Sequence, residues 1–436
     1  MKPSRVAVVF LALVTLSACG TGSSTTATTA PTTTSAPVTT SVPTTSVPAT
    51  TSVPPTSVPA TTSVPTTIPG PNEYVTIAQL NLWFHGPGCY GGFEAFDCSG
   101  ARNTTLTPLL GETYDSASAD VVRQQIDWAA EYGVDAFSIE WTTPREVPGS
   151  VEEILDDQFL TAPNLSKVRW CIFYDLVLRI QQTPGLDVDL SRGMDFDDPD
   201  VYATFVADFE HFATKYFSQA EYLTVDGRPV VYIWGTWNAR GRYPEAFAEA
   251  RQRVAALGFD VYIVGDIIRA DRFSEDLAAA YDANTNFVMF VPGMATRATD
   301  VGEAAVNLDA ILTEWEDHIA GLHVSGREEE VILQPGFAPQ YDDRLFREVN
   351  DIPSSTYLPA TSKEQVTEMA EVVRRHGQPA GSQGWKLIWL NTWNNWAETT
   401  TFEPTVASGP KYPAGNYQFD MLRVVREVFG LKTFSN

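Results

Sequence analysis

Glu140, Asp175, Asp266 and Glu398 each end or follow a short run of β-branched and aromatic residues, and three of them have rings beside them in the chain. Trp141 follows Glu140, Tyr174 precedes Asp175, and Trp393 and Trp396 precede Glu398. Acids among indoles suit a sugar: pyranose C–H faces stack on rings, hydroxyls need polar acceptors, and opening an acetal needs a carboxyl proton donor. Glu398, Glu140 and Asp175 are therefore the candidate catalytic residues. Asn395, Trp141, Trp393, Asp266, Trp83 and Tyr174 are the candidate substrate contacts. Other chemistries lack support. His318 and His323 are five apart and fall on different faces of a helix, His85 stands alone, and there is no H-E-x-x-H, so no catalytic metal is expected. There is no G-x-S-x-G elbow for a serine nucleophile, and no organic cofactor is implied.

Hydrophobic periodicity supplies the elements that must hold these residues. Strands are predicted over Tyr74 to Phe84, Asp135 to Trp141, Val168 to Tyr174, Pro229 to Trp234, Asp260 to Gly265, Asn286 to Val291, Val331 to Gln334 and Lys386 to Trp393. Helices are predicted over Ala119 to Tyr132, Val151 to Phe159, Pro199 to Phe217, Tyr243 to Leu257, Ser274 to Tyr281, Val301 to Leu322, Lys363 to Arg375 and Tyr417 to Phe429. Regular alternation indicates parallel β/α units. The one Gly-x-Gly-x-x-Gly, Gly86 to Gly91 after the first strand, opens no helix, the next predicted one beginning at Ala119, so an open dinucleotide-binding sheet loses to an α/β fold built as a single (β/α)8 TIM barrel. In such barrels functional groups project from the C-terminal strand ends, where the acids above lie.

The ends of the chain and its charge bear on where it works. Lys2 and Arg5 precede an apolar run, Val6 to Leu16, that is too short to span a bilayer, and Leu16-Ser17-Ala18-Cys19 resembles a bacterial lipobox in which Cys19 is lipidated. Residues 1–18 then form a lipoprotein signal peptide. Residues 19–70 form a stalk: of the fifty residues 21–70, 36 are Thr, Ser or Pro and none is charged or aromatic, a composition that cannot bury a core. The globular domain is residues 71–436. Export favours a disulfide between Cys89 and Cys98 across a glycine-rich loop, whereas Cys171 lies in an apolar run as a buried thiol. Lys2 and Arg5 are the only charges before Glu73, leaving 27 basic against 54 acidic side chains. Such a surface repels nucleic acid and anionic lipid, so the membrane is reached through the lipid anchor only; a neutral polysaccharide is a compatible partner, and a monomer is expected.

The segment Asn391-Thr392-Trp393-Asn394-Asn395-Trp396-Ala397-Glu398-Thr399-Thr400-Thr401-Phe402-Glu403-Pro404 resembles the F/W-N-E-W-x-E-G-T-x-x-E-P signature of glycoside hydrolase family 99, the endo-α-mannosidases and endo-α-1,2-mannanases. More distantly it is similar to the N-D-Y-x-E motif of the family 71 α-1,3-glucanases. Pro108 to Ser116, Asp135 to Trp141, Asp226 to Pro229 and Pro335 to Pro339 resemble further family segments in the same order, so the resemblance spans most of residues 74–430. It implies a barrel glycosidase with Glu398 as general acid/base, and places Gln340 to Arg344 in a loop over the site. The family's other acid falls on Asn395, an amide that can hold a hydroxyl but cannot take its proton. The readings left open are a replacement base from Glu140, Asp175 or Asp266, a different chemistry, and a carbohydrate-binding lipoprotein that kept the barrel without turnover.

Overall fold

Eight strands, most of them rich in β-branched and aromatic residues, pair in parallel and in sequence order: β1 Tyr74–Leu80, β2 Ala136–Trp141, β3 Arg169–Asp175, β4 Arg228–Trp234, β5 Tyr262–Asp266, β6 Ala283–Thr285, β7 Ile332–Gln334 and β8 Trp385–Leu390. The computed structural model describes residues 73–84, 104, 106–111, 114–146, 150–183, 186, 188, 193–236, 239–266, 273–286, 303–349, 362–406 and 418–431. The signal peptide, the stalk, Cys19, Cys89, Cys98, His85 and Trp237 lie outside these residues. The ring closes because β8 pairs on one side with β1, from Tyr74↔Lys386 to Ala78↔Leu390, and on the other with Gly336–Phe337, which continues β7 past Pro335. This is the expected (β/α)8 barrel. Its strands are covered on both faces, which is why they read as near-continuous apolar runs; all seven residues of β1 are buried.

The helices begin and end where local chemistry dictates. Asp198 accepts from the amides of Asp200 and Val201 with Pro199 in the first turn of Pro199–Lys215, and Ser362 forms a reciprocal capping box with Gln365 on Lys363–His376. Gly133 closes Ala119–Tyr132 at φ 80°, and a side chain there would run into the carbonyl of Gly430, so glycine is required twice over.

Three expectations need correction. The sixth strand is Ala283–Thr285, ahead of the predicted Asn286 to Val291, of which only Asn286 is among the described residues. Asn284 is fully buried there, a polar residue that breaks the apolar pattern used to find strands. Ser274 to Tyr281 is helical only over Glu275–Ala278, and the Val151 helix gives way after Ile154 to a wider π turn, Leu155–Phe159.

Candidate active site

Contacts across the barrel fix which side chains point inward. Phe173 of β3 stacks on Trp389 of β8 at 5.6 Å, and Tyr232 of β4 lies 4.4 Å from the same indole, so these three fill the barrel axis. Side chains alternate along a strand and registered neighbours share a face. Glu140 is paired with Phe173 and is therefore inward; Asp175, two residues beyond Phe173, is inward and registered with Trp234; Val264 is paired with Tyr232, which turns Asp266 inward as well. The aromatic trio forms a floor, and the acids stand one layer above it at the strand ends.

The same alternation removes three expected sugar contacts. Trp141 and Tyr174, adjacent to inward acids, must point outward: Trp141 packs edge-on against Phe212 at 4.8 Å beneath the Arg179 guanidinium, and the Tyr174 hydroxyl donates to Asp208 at 2.7 Å. Trp393 is wholly buried edge-on against Phe137, a residue of the outward register, at 5.0 Å. Of the expected aromatic contacts only Trp83 stays partly exposed, resting on Phe84, Leu106, Tyr114 and Trp396. Trp234, by contrast, ends β4 facing inward beside Asp175 with part of its surface open.

Glu140 and Asp175 form a carboxyl pair. Both are 3% exposed, and protonated Glu140 donates to Asp175. Burial pushes Glu140 well above the usual carboxylate range; the charges of Asp175 and, further off, Glu398 push it the same way, while the Gln79 amide, donating to Glu140 Oε2 at 2.5 Å, opposes them. Burial also lifts Asp175 to about 7 against the amide of Leu178, whose helix it caps at 2.8 Å. Two acids this close hold one proton between them over a wide pH range.

Glu398 sits on the turn after β8, in the hairpin that joins Asn394–Asn395 to Thr400–Thr401. Asn395 Nδ2 donates to Glu398 Oε2 at 2.8 Å. Burial, reinforced by the charge of Asp343 and opposed by that of Arg347, raises Glu398 to about 7. Thr399 follows at φ 58°, a left-handed conformation in which the resembling signature carries glycine. Beneath the hairpin, Tyr114 OH donates to Glu403 at 3.0 Å and accepts from Asn394 Nδ2 and Trp396 Nε1, while Gln125 donates to the other Glu403 oxygen. Asn394 in turn clasps the backbone of Asn81 at the end of β1. This network locks the hairpin to the first strand.

The loop Gln340 to Arg344 lies at the site: the Asp342 amide donates to the Glu398 carbonyl at 2.8 Å. Asp343 belongs to that expected loop, whereas Gln79, Trp234, Arg347 and Glu403 were not singled out as site residues in the sequence. Alternation with Glu140 and Asp175 would have pointed to Trp234; nothing local marks Arg347, which arrives through a helical turn. Among the described residues no cluster of His, Cys, Asp and Glu could hold a metal ion.

A family model described as glycosyltransferase WbsX matches residues 201–414. No curated protein matches. Among solved structures, one described as a glycoside hydrolase-like protein is 20% identical at a TM-score of 0.59, over 85% of this chain and 98% of that one. The family 99 endo-α-mannosidase of Bacteroides thetaiotaomicron, in complex with bis-tris propane, is 16% identical at a TM-score of 0.52, over 81% of this chain and 96% of that one. A second structure of that endo-α-mannosidase is 14% identical at 0.51, over 81% and 95%. Identities this low speak for the fold. The chain shares the barrel of the family 99 endo-α-mannosidase, and the resemblance read from residues 391–404 is matched by the architecture that carries them.

Proposed function

We propose that this chain is an exported, lipid-anchored glycoside hydrolase that cuts within an α-linked polysaccharide such as α-mannan, with Glu398 as general acid/base and the Glu140–Asp175 pair as the second carboxyl. The observation that carries the reading is that Glu398 is not isolated: Glu140 and Asp175 turn inward at the C-terminal ends of β2 and β3, the same end of the barrel at which the hairpin after β8 holds Glu398. A general acid must hold its proton at the working pH, and Glu398, raised to about 7, does so below neutrality. Once Asp175, raised to about 7, has ionised, the pair shares one proton and is a buried monoanion that can accept the proton of an attacking hydroxyl, so the form with a protonated Glu398 beside it is most populated near neutrality. Glu398 then protonates the glycosidic oxygen as the bond breaks. Trp234, facing inward beside Asp175, offers the sugar a ring face. Asn395 keeps the place of the family's other acid as a hydrogen-bond donor to Glu398.

A second reading rests on the family model's description as a glycosyltransferase. The same groups serve it if the attacking hydroxyl belongs to a sugar rather than to water. Incubating the domain with α-mannans and α-glucans and analysing the products tests both. New reducing ends support hydrolysis, elongated oligosaccharides support transfer, and binding without either supports a carbohydrate-binding lipoprotein. The anchor rests on the Leu16 to Cys19 motif; partition of the wild type into detergent, and its loss in Cys19→Ala, tests that part.

A further inference from the structure

Asp343 and Arg347 form an ion pair, Nε to Oδ2 at 2.6 Å, with side chains only 1% and 3% exposed. Removing two charges from water is expensive, and a buried pair is weak evidence for stability because apolar residues of similar volume serve as well or better. This pair is also not remote. Tyr341 OH donates to the same Asp343 oxygen at 2.7 Å, and the intervening Asp342 amide holds the carbonyl of Glu398. The charged and titratable groups facing Glu398 come from two directions: Asp343, Arg347 and Tyr341 from the segment after β7, and Glu140, with Asp175 behind it, from β2 and β3. Asn395 adds a neutral donor.

We propose that Asp343 and Arg347 are the positioning residues of Glu398, a buried ion pair that holds the turn carrying the acid and fixes the charge it faces. The two members act in opposite senses. Asp343 disfavours the Glu398 carboxylate and Arg347 favours it, so the intact pair holds the acid between two extremes. This deepens the reading of Glu398 as the acid and rests on it for its functional meaning. The titration itself can be read without turnover.

The test is a pH titration of the full chain carrying 13C-labelled glutamate carboxyls, with the Glu398 signal assigned by its loss in Glu398→Gln. Arg347→Met should raise the Glu398 midpoint by about one pH unit and Asp343→Asn should lower it by about as much. The double variant should return it to within about half a unit of the wild type. A structural role alone would leave the midpoint in place or move it the same way in both single variants, and either result overturns the proposal. If Arg347→Met does not fold, Asp343→Asn, whose amide oxygen still accepts from Arg347, decides: an unmoved midpoint overturns it. Turnover of an α-mannan separates the two claims. If Glu398→Gln keeps its activity, the acid assignment fails whatever the midpoints do; if it loses activity and the midpoints stay fixed, only the positioning role fails.

Discussion

Asn395 donates a 2.8 Å hydrogen bond from Nδ2 to Glu398 Oε2, so the residue that replaces an acid in the resembling signature holds the remaining acid in place. On the proposed reading the second carboxyl comes from other strands, as the Glu140–Asp175 pair of β2 and β3. Asn395→Glu would remove the donor and set a like charge against Glu398, raising its proton affinity and disturbing the arrangement with Glu140. We expect activity to fall by roughly tenfold or more, with the alkaline limb of the kcat/KM profile moving upward. A gain in activity on α-mannoside substrates would instead mean that the signature's first acid, replaced here by Asn395, was still wanted.

Trp234 and Trp141 should separate cleanly. Trp234→Ala removes a ring face at the mouth and should raise KM with little change in melting temperature. Trp141→Ala opens a cavity between β2 and the helix Pro199–Lys215 and should cost about 3–5 kcal/mol of stability. Isothermal unfolding and saturation kinetics on both variants measure the contrast.

Thr399 occupies the left-handed region at φ 58°, where a β-branched residue is strained. Thr399→Gly should relieve about 1 kcal/mol, offset in part by the greater freedom of glycine in the unfolded chain. Urea unfolding should show a midpoint at or above that of the wild type.

Glu403 is raised by burial to about 8 from 4.5, opposed by its bonds from Gln125 and Tyr114. The folded state therefore keeps a proton that the unfolded state releases above 4.5. Its contribution favours folding below 4.5, is lost as pH rises to about 8, and is flat beyond. Glu403→Gln keeps an acceptor oxygen for one of its two donors, Tyr114 and Gln125, but cannot ionise. The melting temperature of the wild type should fall more steeply between pH 5 and 8 than that of the variant, and parallel curves would contradict the assignment.

The barrel was legible because each strand is buried on both faces and so announces itself as an apolar run. The sixth strand was misplaced for the converse reason: Ala283–Thr285 is short and carries Asn284 into the interior, while the apolar run lies beyond it. Glu140, Asp175 and Glu398 stood out because acids at strand ends are few. Trp141 and Tyr174 stood out for the same reason, although one residue's displacement along a strand turns a side chain to the other face. Only the cross-barrel contacts of Phe173 and Trp389 reveal which member of each adjacent pair faces the axis. Of the Asp343–Arg347 pair, Asp343 was legible within the loop the resemblance places over the site, but Arg347 was not, because it reaches Asp343 through a helical turn outside that loop.

The central claim is that Glu398 and the Glu140–Asp175 pair act together on one glycosidic bond. Its most direct test is the turnover of Glu398→Gln, Glu140→Gln and Asp175→Asn on a single α-linked polysaccharide cleaved by the wild type, with ligand binding measured alongside. Each substitution keeps shape and hydrogen bonding while removing a transferable proton or charge, so each should lower kcat by roughly two or more orders of magnitude with binding retained. Near wild-type turnover in Glu398→Gln, or in both Glu140→Gln and Asp175→Asn, would contradict the account.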